Sequence, residues 1–193
     1  MRQSVAGQSS KAGVAQALRQ ALEPIGMFDA RADELGAVRA LAAALISPHV
    51  ASEESLAAIY RRTGYGVHVV RKDGEVAGVL ALIFLNSAGL EAVETDAFNP
   101  LDPGLEYIVE GNEPPVGVYC WGIAANRRRA AGILVEGSWA VRAVLPDTPY
   151  FVRAATDAGR RLLTQSMPFV SYPGSTSGLL WWPRYHERTR RAA

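Results

Sequence analysis

Cysteine is nearly missing from this chain of 193 residues. Cys120 stands alone, which excludes an internal disulfide and any cysteine-built zinc site, and the expected home is a reducing cytoplasm. Histidine is almost as scarce. His49, His68 and His186 are scattered with no carboxylate cluster beside them, so no metal is expected. An excess of one charge is also lacking: 20 basic and 19 acidic residues leave a net charge of +1, with no global field toward nucleic acid or anionic lipid. Long apolar runs are absent too. The longest, Val76 to Leu85, is interrupted by Gly78 and suits a buried strand; a membrane span needs roughly 18 such residues or more. The opening stretch, MRQSVAGQSSKAG, has no apolar core of the kind that marks a secretion signal and reads as a polar lead.

What is present is an ordinary globular composition, 49% hydrophobic and 20% charged. Val14, Ala15, Leu18 and Leu22 recur at helical spacing before Pro24 and Gly26, predicting an amphipathic arm over residues 1–26. GMFDARA reads as a short strand and DELGAVRALAAALI as a helix that Asp33 or a neighbour could cap. Ser52 caps a second helix, with Ser55 in the place of the capping-box glutamate, and Gly64 closes it. The period then changes. Two β-branched runs meet at Lys72-Asp73-Gly74, predicting an antiparallel hairpin over Gly66 to Arg71 and Glu75 to Leu85. A long, acidic, proline-punctuated connection follows, with room for one short helix or edge strand. VGVYCWGIAA resumes a strand, three arginines turn the chain, and GILVEGSWAVRAVL is a helix apolar enough to lie on a sheet. TPYFVRAAT, DAGRRLLTQS and MPFVSYPG then read as strand, helix and the start of a last strand. The mixed order implies an α/β fold with helices on both faces of the sheet.

Three stretches in this order resemble the GNAT superfamily of coenzyme A-dependent N-acetyltransferases, over roughly Met27 to Pro173. KDGEVAGVLAL is similar to that family's second and third strands, with their xVxGxxxL run. GIAANRRRAAG is similar to its acyl-CoA loop, a strand end followed by arginine and small residues, and YFVRAATDAGRRLLTQSMPF to its late strand and helix. The resemblance implies a mixed, mostly antiparallel central sheet, acetyl-CoA or another acyl-CoA as co-substrate, no metal, and an acyl transfer to an amine borne by a small molecule or a protein. The loop can be counted from Arg127, which puts Ala130 and Gly132 at the two small positions, from Arg128, giving Ala131 and Ile133, or from Arg129, giving Gly132 and Leu134; the first register keeps both small residues. Ala125 stands where the family has a proline, and Met167-Pro168-Phe169 replaces its Gly-Phe. Leu163 falls near the position of the tyrosine that protonates the departing thiolate in that family, so the ordinary acid is not visible.

The residues of the loop support this physically. Coenzyme A brings a pyrophosphate and a ribose phosphate. Ala130, Ala131 and Gly132 let a backbone come close, amides at a helix start converge on anions, and Arg127, Arg128 and Arg129 can grip phosphate bidentately. Ile123, Ala124 and Ala125 would offer backbone groups to the amide-rich pantetheine arm. Thr156 either touches the cofactor or caps the helix after it. The alternative for the arginines is a solvated cluster, or one laid on an RNA backbone, although cations at a helix start are mildly unfavourable without an anion. For the chemistry, Glu113 or Glu110 is a candidate base through water and Tyr119 a candidate acid, against the plainer roles of rim charge and packed strand residue. Cys120 reads as a small buried hydrophobe rather than a nucleophile, and His68 as structural.

The tail WWPRYHERTRRAA interleaves aromatic and basic residues; its tryptophans would pack on the domain, or on a partner helix or second copy in a homodimer. The organisation expected is an arm at 1–26, an acyltransferase domain at 27–178 and a tail at 179–193, with neither membrane nor nucleic acid as partner. The alternative to an acyltransferase is a module of the same fold that has lost catalysis and binds a ligand or a protein.

Overall fold

The two β-branched runs around Asp73-Gly74 form the middle of the sheet. Both turn residues take positive φ, 54° and 84°, which matches the twist of a two-residue hairpin between Val67–Lys72 (β2) and Glu75–Leu85 (β3). The computed structural model describes residues 13–111 and 113–184; the polar lead and the basic end of the tail lie outside them. In chain order the remaining strands are Phe28–Asp29 (β1), Gly117–Ala125 (β4), Tyr150–Arg153 (β5), Val170–Ser171 (β6) and Leu179–Trp182 (β7). They assemble in the order β1-β2-β3-β4-β5-β7-β6. Every pairing is antiparallel except that of β4 with β5.

Helices cover both faces. On one side Val14–Leu22 (α1), Arg128–Val144 (α5) and the π-helical turn Leu162–Ser166 pack over Leu80, Leu82, Phe84 and Cys120. On the other, Leu35–Leu45 (α2), Glu53–Thr63 (α3) and Ser87–Glu94 (α4) cover Val79, Ala81, Ile83 and Leu85. The alternation of β3 thus feeds both cores, which explains its nearly continuous hydrophobicity. The architecture is the mixed, mostly antiparallel α/β sandwich that the sequence predicts. Ser52 Oγ accepts the Ser55 amide and Gly64 takes the left-handed conformation, as read from their positions. The acidic connection holds α4, with Asn86 as its cap, a 3-10 turn at Leu105–Tyr107 and a bridge from Ile108 to Leu85.

Two expected boundaries are corrected. Residues 14–26 are no appended arm: Leu18 and Leu22 share the core with Leu134 and Val141 of α5, and a Cβ at Gly137 would collide with the Met27 thioether. The amphipathic stripe of α1 and the wide apolar surface of α5 bury each other. Nor does the body end at residue 178, because Leu179–Trp182 is a sheet strand between β5 and β6 with both tryptophans buried.

Candidate functional site

The register between β3 and β4 slips at one place. Ala81 faces Gly122 and Leu82 faces Cys120, so Trp121 is an extra residue on β4. Such a bulge bends its strand and increases its twist. The consequence appears at the next neighbour: β4 and β5 pair only at Val118 with Tyr150 and Tyr119 with Phe151, and then part. A wedge opens between two parallel strands. The Asn126 N–H donates to the Ala77 carbonyl on β3, so strand alternation aims the N–H and C=O groups of Ile123 and Ala125 away from β3 and into the wedge.

The wedge holds a cavity of about 320 Å³ lined by β4 from Cys120 to Ala125, by Val152 to Thr156, and by Ala131, Leu134 and Leu163. A second cavity, of about 250 Å³, lies on the α2 side under Trp121, whose indole N–H donates to the Pro100 carbonyl at 2.6 Å. The two share Ile46, Trp121, Gly122, Arg153, Ala154 and Ala155, and so meet at the bulge.

The arginine turn stands at the start of α5. Arg127 is the N-cap residue, no side chain caps the helix among the described residues, and its first turn has no acid. All three arginines are exposed, and among the described residues none has an ion-pair partner. Ala131 lines the wedge, one residue beyond Ala130. Of the small residues, Ala130 is placed differently from the sequence expectation. Ala130 is buried, and a Cβ on Gly78 of β3 would lie 3.2 Å from its methyl, so this alanine seats the helix on the sheet. Gly132 meets nothing within 4 Å and faces open space. Ile123, Ala124 and Ala125 line the wedge, and so does Thr156, whose hydroxyl also accepts the Gly159 amide and caps Asp157–Arg161 (α6).

The two candidate catalytic residues are not brought together. Glu113 lies on the exposed loop before β4, where its carboxylate accepts the Glu110 amide at 3.2 Å, and it lines neither cavity; Glu110 lines neither as well. The strand separates this loop from the wedge, because Gly117 begins β4 and the opening lies beyond Tyr119. Tyr119 does line the Trp121 cavity, buried against Phe98 with ring centroids 5.0 Å apart. Burial pushes its hydroxyl up to about 12, against the opposing pull of Arg153, which makes it a poor proton donor near neutral pH. Burial likewise pushes the Cys120 thiol up to about 12, so it stays protonated and unreactive. Leu163 is buried at the wedge wall and carries no proton to give.

Arg39 and His49, neither of them a site candidate from the sequence, line the Trp121 cavity from α2 and from the loop after it. No local signal marks them, since only the packing of α2 over Ala81 brings them to Trp121. His68 is structural, its Nδ1 lying 3.1 Å from Asp29 at a poor hydrogen-bond angle. Among the described residues no group of His, Cys, Asp or Glu is placed to hold a metal ion, and no helix is long and apolar enough to cross a membrane.

No family model matches the chain, and none of the curated proteins matches it. Among solved structures the chain is similar to GphF, a GNAT-like decarboxylase in complex with isobutyryl-CoA. The TM-score is 0.48 at 15% identity, over 72% of this chain and 70% of that one.

Proposed function

We propose that this protein binds an acyl-CoA in the wedge between β4 and β5 and transfers an acetyl or other short acyl group to an amine. The observation that carries the reading is the wedge itself. Two parallel strands pair at two positions and then part, with free backbone groups facing the gap and an arginine-rich helix start at its side. Pantetheine carries two amides in an extended chain, so it can add to the edge of β4 at Ile123 and Ala125 as a strand would. The pyrophosphate then reaches the first turn of α5, where unbonded N–H groups and Arg127, Arg128 and Arg129 supply donors and positive charge.

The acyl end points toward the bulge, where the wedge meets the Trp121 cavity. The nitrogen lone pair of the amine attacks the thioester carbonyl, the C–N bond forms, and the C–S bond breaks with its electron pair leaving on sulfur. An amide N–H of β4 beyond the bulge polarises the carbonyl oxygen. His49 lines the acceptor cavity and takes the proton that the nitrogen releases; histidine is the side chain used most often for this task. The thiolate needs no side-chain acid. A thiol pKa of about 8.5 makes the thiolate a stable leaving group that water can protonate. This is how the reaction proceeds with Leu163 at the wedge wall.

Calorimetric titration with acetyl-CoA, followed by thiol release over a panel of amines, tests the reading. Binding with amine-dependent thiol release is the expected result; no binding at millimolar acetyl-CoA would overturn it. Binding without release over the whole panel would favour a ligand-binding module, for which the apolar Leu163 is the specific observation.

A further inference from the structure

We infer that the Trp121 cavity takes a molecule whose apolar body carries a carboxylate, with Arg39 as the anion's partner. This rests on the acyl-transfer reading for its chemistry, and it narrows the acceptor to an amino acid with an apolar side chain rather than a polyamine or a lysine side chain.

Among the described residues the lining contains no aspartate and no glutamate. Its walls are apolar, from Val38, Ala42, Ile46, Leu56, Val79 and Leu101, and its charged or titratable groups are Arg39, His49, Tyr119 and Arg153. An ammonium brought into such a space loses water and gains no counter-charge, which is costly. A carboxylate gains one.

The two arginines differ in what they have left to offer. Arg153 is spent on its own fold: Nε donates to Ser177 Oγ at 3.0 Å, Nη1 to the Phe98 carbonyl at 3.2 Å, and Nη2 to Asp96 at 2.8 Å. Arg39 donates only through Nε, to the Ala51 carbonyl at 3.3 Å, so its two terminal nitrogens have no partner among the described residues. That bond to Ala51 also anchors the guanidinium against the loop that carries His49. Glu53 packs over Gly36, one helical turn from Arg39, and forms no ion pair with it. The planar fork of Arg39 therefore remains available for a bidentate carboxylate contact, which a lysine could not reproduce.

The same field serves the reaction. Guanidinium groups near an amine favour its neutral form, and that is the form that attacks. The acceptor nitrogen forms the new C–N bond as the thioester C–S bond breaks, sulfur keeps the electron pair, and the proton of the nitrogen passes to His49.

Matched probes separate the two ends of the molecule. L-leucine and L-phenylalanine are titrated calorimetrically into the full-length protein, with and without coenzyme A, beside isopentylamine and phenylethylamine, the same amines without their carboxylates. The amino acids should bind about tenfold tighter or more, the size of one charge-assisted contact. Arg39→Leu should remove that difference, and Arg39→Lys should restore part of it. Equal or better binding of the simple amines overturns the inference, as does a difference that survives in Arg39→Leu or a failure of both amino acids to bind. Should Arg39→Leu not fold, the matched pairs in the unaltered protein decide alone. A carboxylate preference without coenzyme A binding would sink the acyl-transfer reading and leave the carboxylate site standing; the reverse pattern would do the opposite.

Discussion

Replacing Arg127, Arg128 and Arg129 together by alanine should make the protein more stable and its grip on acetyl-CoA weaker. The two effects have one cause. The three guanidinium groups are exposed, have no ion-pair partner among the described residues, and stand at the positive end of a 17-residue helix with no capping side chain. Each exposed cation there costs about 0.3 kcal/mol, so the free protein should gain about 1 kcal/mol, or roughly 2–4 °C in Tm for a chain of this size. Each arginine–phosphate contact at an exposed site contributes about 0.5–1 kcal/mol, so losing three should weaken binding by about ten- to 150-fold. Melting of the free protein reads the first effect, and calorimetric titration at low and high salt reads the second. Because the screening length falls from about 10 Å at 0.1 M to about 3 Å at 1 M, salt should weaken acetyl-CoA binding by the unaltered protein and have little effect on the variant. Unchanged affinity in the variant, or a lower Tm with unchanged salt dependence, would refute the phosphate reading and return the cluster to the solvated surface.

Three further substitutions test the frame around the site. Glu34 accepts Arg71 Nε and Nη2, each at 2.6 Å, and the Arg31 amide at 2.7 Å; the Arg71 bonds, foremost, hold its carboxyl down at about 2, below the ordinary 4.5. A lowered folded-state value means stabilisation that is complete above pH 4.5 and disappears as the pH falls toward about 2. Glu34→Gln should therefore cost about 2–3 kcal/mol in urea melts at neutral pH and distinctly less at about pH 3, and a gap of constant size would contradict this account. Gly78→Leu should lift the first turns of α5 off β3, because even a Cβ there lies 3.2 Å from Ala130 and 3.4 Å from Leu134. A loss of about 1–3 kcal/mol with weaker acetyl-CoA binding is expected, while Gly132→Ala, which meets no neighbour and sits inside α5, should raise stability by about 0.5–1 kcal/mol; a destabilisation of similar size in the two variants would argue against the seating role.

The sequence by itself determined whatever rests on neighbours along the chain. Asp73-Gly74 dictates its hairpin because a β-branched run stands on either side of two residues that accept positive φ, and Ser52 and Gly64 cap their helix by bonds to residues three or four positions away. The apolar breadth of α5 likewise announces a sheet beneath it. The arginine turn at the start of that helix was legible for the same reason, being a local change from strand to helix.

Only the tertiary structure decided the rest, because the forces concerned act between distant segments. The bulge at Trp121 exists through the register of β4 against β3, and nothing in YCWGIAA says which residue will be extra. That single slip opens the wedge and places its free backbone groups. Glu113 looks close to Tyr119 in sequence, yet the course of β4 leaves it outside both cavities. Arg39 and His49 look like an ordinary helix charge and a loop residue until the packing of α2 on the sheet brings them under Trp121. Periodicity identifies the elements; where they pair and part decides which of their residues share a cavity.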